Sequence, residues 1–252
     1  MSPSEGFYAR KQLRSESRLI AWSHRGRFQI ALDLARAIAG RRVLDYGFGD
    51  GTFLAMLCDG DGRPLHAVGA EISDELVQAG RQRFAGRPDL GFVHVNALDR
   101  PEHAGAYDAI ICIEVLEHVL DPEPILERFA RLLAPEGRLL VSVPVETGAP
   151  LAVKQVARRV AGWRGVGDYP GLAPYTIAEF GASLFAGRHQ HITRPVHRGA
   201  DAQPFHCHKG FNWLALERAL GRRFRLERRV GSPVTWLPPH LNSQVWFVLA
   251  PA

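Results

Sequence analysis

The chain has 252 residues, 46% of them hydrophobic, enough to bury the core of one α/β domain with an elaboration, and its first twenty residues are too charged for a signal-peptide core. Three cysteines, Cys58, Cys112 and Cys207, are too few and too scattered for a disulfide framework and are expected in a reducing cytoplasm, and no apolar run is long enough to span a membrane. The net charge of +5 is unevenly spread: residues 43–144 carry 8 Lys/Arg against 17 Asp/Glu, whereas residues 1–42 carry 9 against 3 and residues 206–252 carry 7 against 2.

Helical periodicity predicts two helices before the first strand, Phe7–Leu19 and Arg27–Ala39. From Arg42 to Val143, β-rich runs alternate with helical stretches, as a parallel sheet with crossover helices requires. The predicted strands are Val43–Tyr46, His66–Glu71, Phe92–Val95, Ala109–Ile113 and Leu139–Val143; the predicted helices are Thr52–Leu57, Asp74–Phe84 and Pro122–Leu133. Asp121 and Pro122 supply a cap and a first-turn proline for the last of these, and Pro135-Glu136-Gly137 a stop after it. Beyond Pro144 prolines and glycines multiply and one clear helix stands near Leu151–Ala161, the pattern of a cap. A helix at Trp213–Leu220 and strands at Phe224–Val230 and Gln244–Leu249 then complete the sheet. The expected architecture is a doubly wound, seven-stranded, mostly parallel α/β sheet. Residues 1–40 form an N-terminal helical extension, 41–144 the ligand-binding core, 145–205 a cap inserted after the fifth strand, and 206–252 the closing part of the core.

The chemistry concentrates after the first strand. Val43-Leu44-Asp45-Tyr46 runs into Gly47-Phe48-Gly49-Asp50-Gly51, with glycine at alternate positions just before a helix, so that backbone can approach a ligand closely. The spacing fails the dinucleotide pattern, which needs its third glycine one position later. Asp45 would repel a pyrophosphate but suits a ligand bearing an ammonium group. At the end of the second strand, Gly69-Ala70-Glu71-Ile72 puts a second carboxylate where a ribose diol would lie.

Leu44-Asp45-Tyr46-Gly47-Phe48-Gly49-Asp50-Gly51 resembles motif I of the class I S-adenosylmethionine-dependent methyltransferases. Tyr107–His118 resembles the family's fourth-strand motif, and Leu133–Val141 its fifth. The likeness covers about residues 40–144 well and the last forty loosely. It implies S-adenosylmethionine as cofactor, with Asp45, Gly47 and Gly49 around the methionine part, Gly51 also among the cofactor-binding residues, Glu71 on the ribose hydroxyls and Ile72 beside the adenine. It further implies Asn96 and Ala97 at the adenine amino group and Glu114 near the sulfonium.

Ile113-Glu114-Val115-Leu116 lacks the Asn/Asp-Pro-Pro-aromatic motif of enzymes that methylate exocyclic amines in DNA, so that chemistry is disfavoured. Glu114, Glu117 and His118 resemble a cluster that binds a divalent metal in ubiquinone-biosynthesis-type O-methyltransferases. The same residues also serve as a loop brace without metal, and no metal is expected here. Five histidines, His189, His191, His197, His206 and His208, stand in one stretch; one of them is expected to be a general base, and Glu114, His118, His189 and His208 are the candidate catalytic residues. Trp236 and Phe205 are candidate liners of the substrate site.

The expected activity is methylation of a small molecule, at oxygen or nitrogen, in a biosynthetic pathway. The acceptor is expected to be anionic and held by Lys11, Arg14 and Arg18, which share a helical face. A nucleic-acid-directed methyltransferase is the rival prompted by the basic ends, and it lacks the interleaved aromatics of a single-strand platform. A third alternative is cofactor binding without transfer. Neither a membrane partner nor an oligomeric state is read from the sequence.

Overall fold

The computed structural model describes residues 18–59, 63–163, 175–198 and 203–252. Helix α1 (Arg18–Ile38) leads into β1 (Arg42–Tyr46), α2 (Thr52–Leu57), β2 (His66–Glu71), α3 (Asp74–Arg83), β3 (Leu90–His94), β4 (Tyr107–Ile113), α4 (Glu123–Leu132) and β5 (Leu133–Pro144). The cap follows as α5 (Gly148–Trp163), α6 (Ile177–Leu184) and the short strands β6 (Val196–Arg198) and β7 (Pro204–His206), and α7 (Trp213–Leu220), β8 (Phe224–Ser232) and β9 (Gln244–Pro251) end the chain.

Seven strands form one sheet in the order β3-β2-β1-β4-β5-β9-β8. Strands β1 to β5 pair in parallel, and β9 inserts antiparallel between β5 and β8. This is the expected doubly wound architecture. The winding direction reverses between β1 and β4, so the carboxyl ends of these two strands flank the crevice in which such sheets bind ligands.

Strands covered by helices on both faces read as near-continuous apolar runs, and β4, Tyr-Asp-Ala-Ile-Ile-Cys-Ile, is of this kind. Alternation then divides the strand side chains between two cores. Leu44, Ile110, Leu139 and Val141 pack with Phe129 of α4 and Trp213 of α7, while Val43, Ile111 and Leu140 pack with Leu54 of α2 and Ala35 of α1.

Three local expectations differ from the structure. The helix expected at Arg27–Ala39 extends back through Gly26 to Arg18 as one helix of 21 residues, while the helix expected at Phe7–Leu19 lies, apart from its end, outside the described residues. The stop at Pro135-Glu136-Gly137 is absorbed into β5 as an irregularity, since pairing passes from Tyr107↔Leu133 to Ala109↔Arg138. Gly137 permits it, because a Cβ there would sit 2.9 Å from the Tyr107 carbonyl. The cap also holds more structure than one helix. Helix α6 starts on a capping box, in which the Thr176 hydroxyl accepts from the Glu179 amide at 3.3 Å and the Glu179 carboxylate from the Thr176 amide at 2.7 Å. Thr-x-x-Glu is the spacing such a box requires, and it was not picked out in the sequence.

Candidate active site

The parallel register sets Asp45 beside Gly69 and Tyr46 beside Ala70, so the turn after β1 lies against the end of β2. Gly47 donates its amide to the Ala70 carbonyl at 2.8 Å, with φ at 81° and the Val115 side chain pressed against the space a Cβ would fill. Gly49 has φ of 59° and nothing within 4 Å of a Cβ position, so its backbone is bare toward the cavity. Glu71 receives the Gly49 amide on Oε2 at 3.2 Å and the Ile72 amide on Oε1 at 2.8 Å. Asp45 is 3% exposed, and burial, with Glu71 close by, pushes its carboxyl up to about 7. These residues open on a cavity of about 810 Å³, flanked by Ile72 and Leu76 on one side and by Phe28 and Phe53 on another.

The far end of the cavity is built from the β4 tip and the cap. Glu114 has φ of 55°, the one positive value for a non-glycine among the described residues. A strained backbone of this kind persists where its surroundings over-determine it. The Ser142 carbonyl accepts the Glu114 amide at 3.0 Å, and Gln244 Nε2 donates to Glu114 Oε1 at 2.8 Å. Burial raises the Glu114 carboxyl, opposed mainly by Arg27 and the Gln244 hydrogen bond. Glu117 is fully buried, neither of its carboxyl oxygens has a hydrogen-bond partner, and burial with Glu114 nearby pushes it well above the carboxylate range.

His118 Nδ1 stands 2.8 Å from the His206 carbonyl, which only accepts, so the ring carries its proton there and turns Nε2 toward His208. The two Nε2 atoms are 3.3 Å apart, and Glu117 Oε1 lies 3.7 Å from one and 3.8 Å from the other. Burial lowers the His118 value, favouring the neutral ring at pH 7. One guanidinium nitrogen of Arg194 donates to the carbonyls of both Glu117 and Cys207 at 2.5 Å, stapling the backbone just before each histidine. Burial lowers Arg194 itself to about 10.

A family model described as a methyltransferase domain matches residues 21–192 of this chain. The chain belongs to that methyltransferase family. Among curated relatives of this chain are a demethylmenaquinone methyltransferase of Clavibacter sepedonicus, 35% identical over 48% of this chain and 51% of the relative, and a ubiquinone biosynthesis O-methyltransferase of Marinobacter nauticus, 33% identical over 44% and 47%. The chain thus spans about half the length of the curated relatives it matches. The solved structure of the PH0226 protein from Pyrococcus horikoshii covers 98% of the chain and 100% of its own with a TM-score of 0.60 at 16% identity, a likeness of fold.

The predicted site residues divide in two. Asp45, Gly47, Gly49, Glu71, Ile72, Glu114, His118 and His208 all line the one cavity, and so does Phe205. Gly51 instead caps α2 against the Phe84 ring, 2.8 Å from a Cβ position. Asn96 and Ala97 sit in a 3-10 turn after β3, where Val95 reaches the cavity and they do not. His189 is exposed beside Arg218, and Trp236 is 81% exposed, away from the cavity that Phe205 lines. Lys11 and Arg14, and the Arg18 side chain, lie outside the described residues. Sequence reasoning missed Gln244, Gln203 and Arg27 as liners, because they reach the cavity from β9, the cap and α1, with no local motif to mark them.

Proposed function

We propose that this chain transfers a methyl group from S-adenosylmethionine to a hydroxyl of a small molecule. The observation that carries the proposal is the pair of carboxylates, Asp45 and Glu71, at the tips of adjacent strands on either side of the bare Gly49 backbone. Asp45 suits the cofactor's ammonium group. Glu71 exchanges its two backbone hydrogen bonds for those of a ribose diol, with Ile72 as the apolar flank of the adenine. Neither group requires a phosphate, and the carboxylates would repel one.

Methyl transfer is an in-line displacement: the acceptor oxygen bonds to the methyl carbon while the sulfur keeps the electron pair of the bond it loses. The hydroxyl proton goes to Nε2 of His118, whose tautomer the His206 carbonyl fixes and whose neutral form burial favours. Val115, Val119, Leu120 and Phe205 line this end with apolar surface. The O-methyltransferase name of one relative supports a hydroxyl acceptor, and the quinone names of both support a ring-bearing one.

One observation favours a second reading of the same end. The ligand atoms of Glu117, His118 and His208 lie within 4.8 Å of one another, and the Glu117 oxygens have no other hydrogen-bond partner, a donor set that fits a divalent cation. Held by these three residues, a cation would supply Lewis acidity that lowers the acceptor hydroxyl's pKa. The test of the main reading is transfer of isotope-labelled methyl from S-adenosylmethionine to a panel of phenols, catechols and aliphatic alcohols, with the protein treated with chelator. Labelled ether from a ring hydroxyl is the expected product; cofactor binding without any labelled product across the panel would contradict it.

A further inference from the structure

The β9 end of the cavity carries side chains for which the proposed reaction has no use. Gln244 is 2% exposed, and its amide is held at both ends. Its Oε1 accepts from the Ser232 hydroxyl at 3.2 Å, and its Nε2 donates to Glu114 Oε1 at 2.8 Å and to Ser142 Oγ at 3.1 Å. Ser232 in turn accepts the Trp246 indole N–H at 2.9 Å. Ser142, Ser232 and Trp246 are all buried, and sheet pairing fixes their spacing, with Ser142 opposite Trp246 and Ser232 opposite Gln244.

The direction of this chain of hydrogen bonds follows from its first member. An indole N–H only donates, so Ser232 Oγ accepts there and sends its single proton on to the Gln244 carbonyl. The amide nitrogen is thereby turned toward Glu114. The opposite orientation would set the amide oxygen against the Glu114 carboxylate. Glu114 Oε1 therefore meets the amide as an acceptor, an arrangement that favours the ionised carboxylate against the burial that opposes it.

We infer that Gln244 is a positioning residue that holds the Glu114 carboxylate ionised and aimed at the cofactor's sulfonium, with its own amide oriented by Ser232 and Trp246. The inference rests on the cofactor reading above. Three further charges act on Glu114 besides Gln244: Arg27 of α1 and Lys154 of α5 favour its ionised form, and Glu146 after β5 opposes it, as does burial. In the loop after β4, Glu114 in turn adds to the burial that opposes ionisation of Glu117.

The experiment needs no acceptor. S-adenosylmethionine and S-adenosylhomocysteine share the ammonium group and the ribose and differ in the sulfonium charge, so the ratio of their Kd values cancels Asp45 and Glu71 and reads the charge beside the sulfur, that of Glu114 and His118, of which the variants below shift only the Glu114 part. The ratio is measured by calorimetry from pH 5 to 9 for the full chain and for Gln244→Leu and Ser232→Ala. In the unaltered protein the preference for the sulfonium should fade as pH drops. In Gln244→Leu that midpoint should rise by about one pH unit, the worth of one hydrogen bond to a charged group, while the affinity for S-adenosylhomocysteine stays within about twofold. Ser232→Ala should shift it the same way by less, and it serves alone if Gln244→Leu does not fold. Unshifted midpoints in variants that bind both ligands would overturn the role of Gln244 and leave the cofactor reading intact. Failure of the unaltered protein to bind either ligand would overturn both.

Discussion

At the glycine-turn end of the cavity, Asp45, Gly47, Gly49 and Glu71 come from the tips of β1 and β2, neighbours in both sequence and sheet; at the histidine end, His118 and His208 come from positions 90 apart and meet at 3.3 Å. The first end is assembled by local register, since pairing Asp45 with Gly69 and Tyr46 with Ala70 suffices to set Glu71 beside the turn. The second is assembled by docking the cap on the β4 loop through Arg194, which bonds the carbonyls of Glu117 and Cys207, and through the His206 amide on the His118 carbonyl. The lesson is that a ligand common to a whole family can be held by contiguous residues, whereas the groups that meet its reaction partner depend on long-range packing.

The comparison can be broken from either side. The largest effect is expected from His118→Ala: transfer to the acceptor should fall by roughly a hundredfold or more while S-adenosylmethionine affinity stays within about twofold. In the unaltered protein, the acid limb of the transfer rate should lie below the ordinary imidazole value of 6.5, because burial lowers His118 and only its neutral form accepts a proton. Equal losses of affinity and transfer in His118→Ala, read by calorimetry and labelled-product assay, would erase the distinction between the two ends.

Glu71→Ala comes next and acts on the other side. Removing the carboxylate that meets two hydroxyls should cost about 1.5–3 kcal/mol, a roughly 10- to 150-fold loss of cofactor affinity by calorimetry, with the melting temperature nearly unchanged. Wild-type affinity in this variant would remove Glu71 from the cofactor site.

A smaller effect is expected from pH. Asp45 titrates near 7 in the ligand-free chain, and an ammonium partner would lower it, so binding should release a proton and weaken as pH falls. The expected loss between pH 8 and pH 6 is about tenfold, seen as a buffer-dependent binding enthalpy. A pH-independent affinity would mean that Asp45 does not meet the cation. Smallest of all is the response to chelator: transfer should persist in EDTA, and loss reversed by magnesium or zinc would turn the account to the cation reading of Glu117, His118 and His208.

The same contrast explains what the sequence made legible. Strand–helix alternation over Arg42–Val143 yields the parallel half of the sheet, because buried strands leave continuous apolar runs and glycine-rich turns mark their ends. Asp45, Gly47, Gly49 and Glu71 were legible for the same reason. His118 and His208 were each visible as residues but not as a pair, since nothing local encodes the Arg194 staple. Gln244 carried no signal, its role being fixed by side chains of β5 and β8 that only the closed sheet brings to it. Asn96 and Gly51, to which the family pattern assigns ligand contact, stand instead inside a 3-10 turn capped by His94 and at the start of α2, off the cavity wall.

The most direct test of the central claim is a crystal structure with S-adenosylhomocysteine bound. The account predicts the ribose hydroxyls on Glu71, the ammonium group within reach of Asp45, the carboxylate end over the Gly49 backbone, and the sulfur facing Glu114 and His118. A nucleoside bound elsewhere, or one that leaves Glu71 on the amides of Gly49 and Ile72, would contradict it.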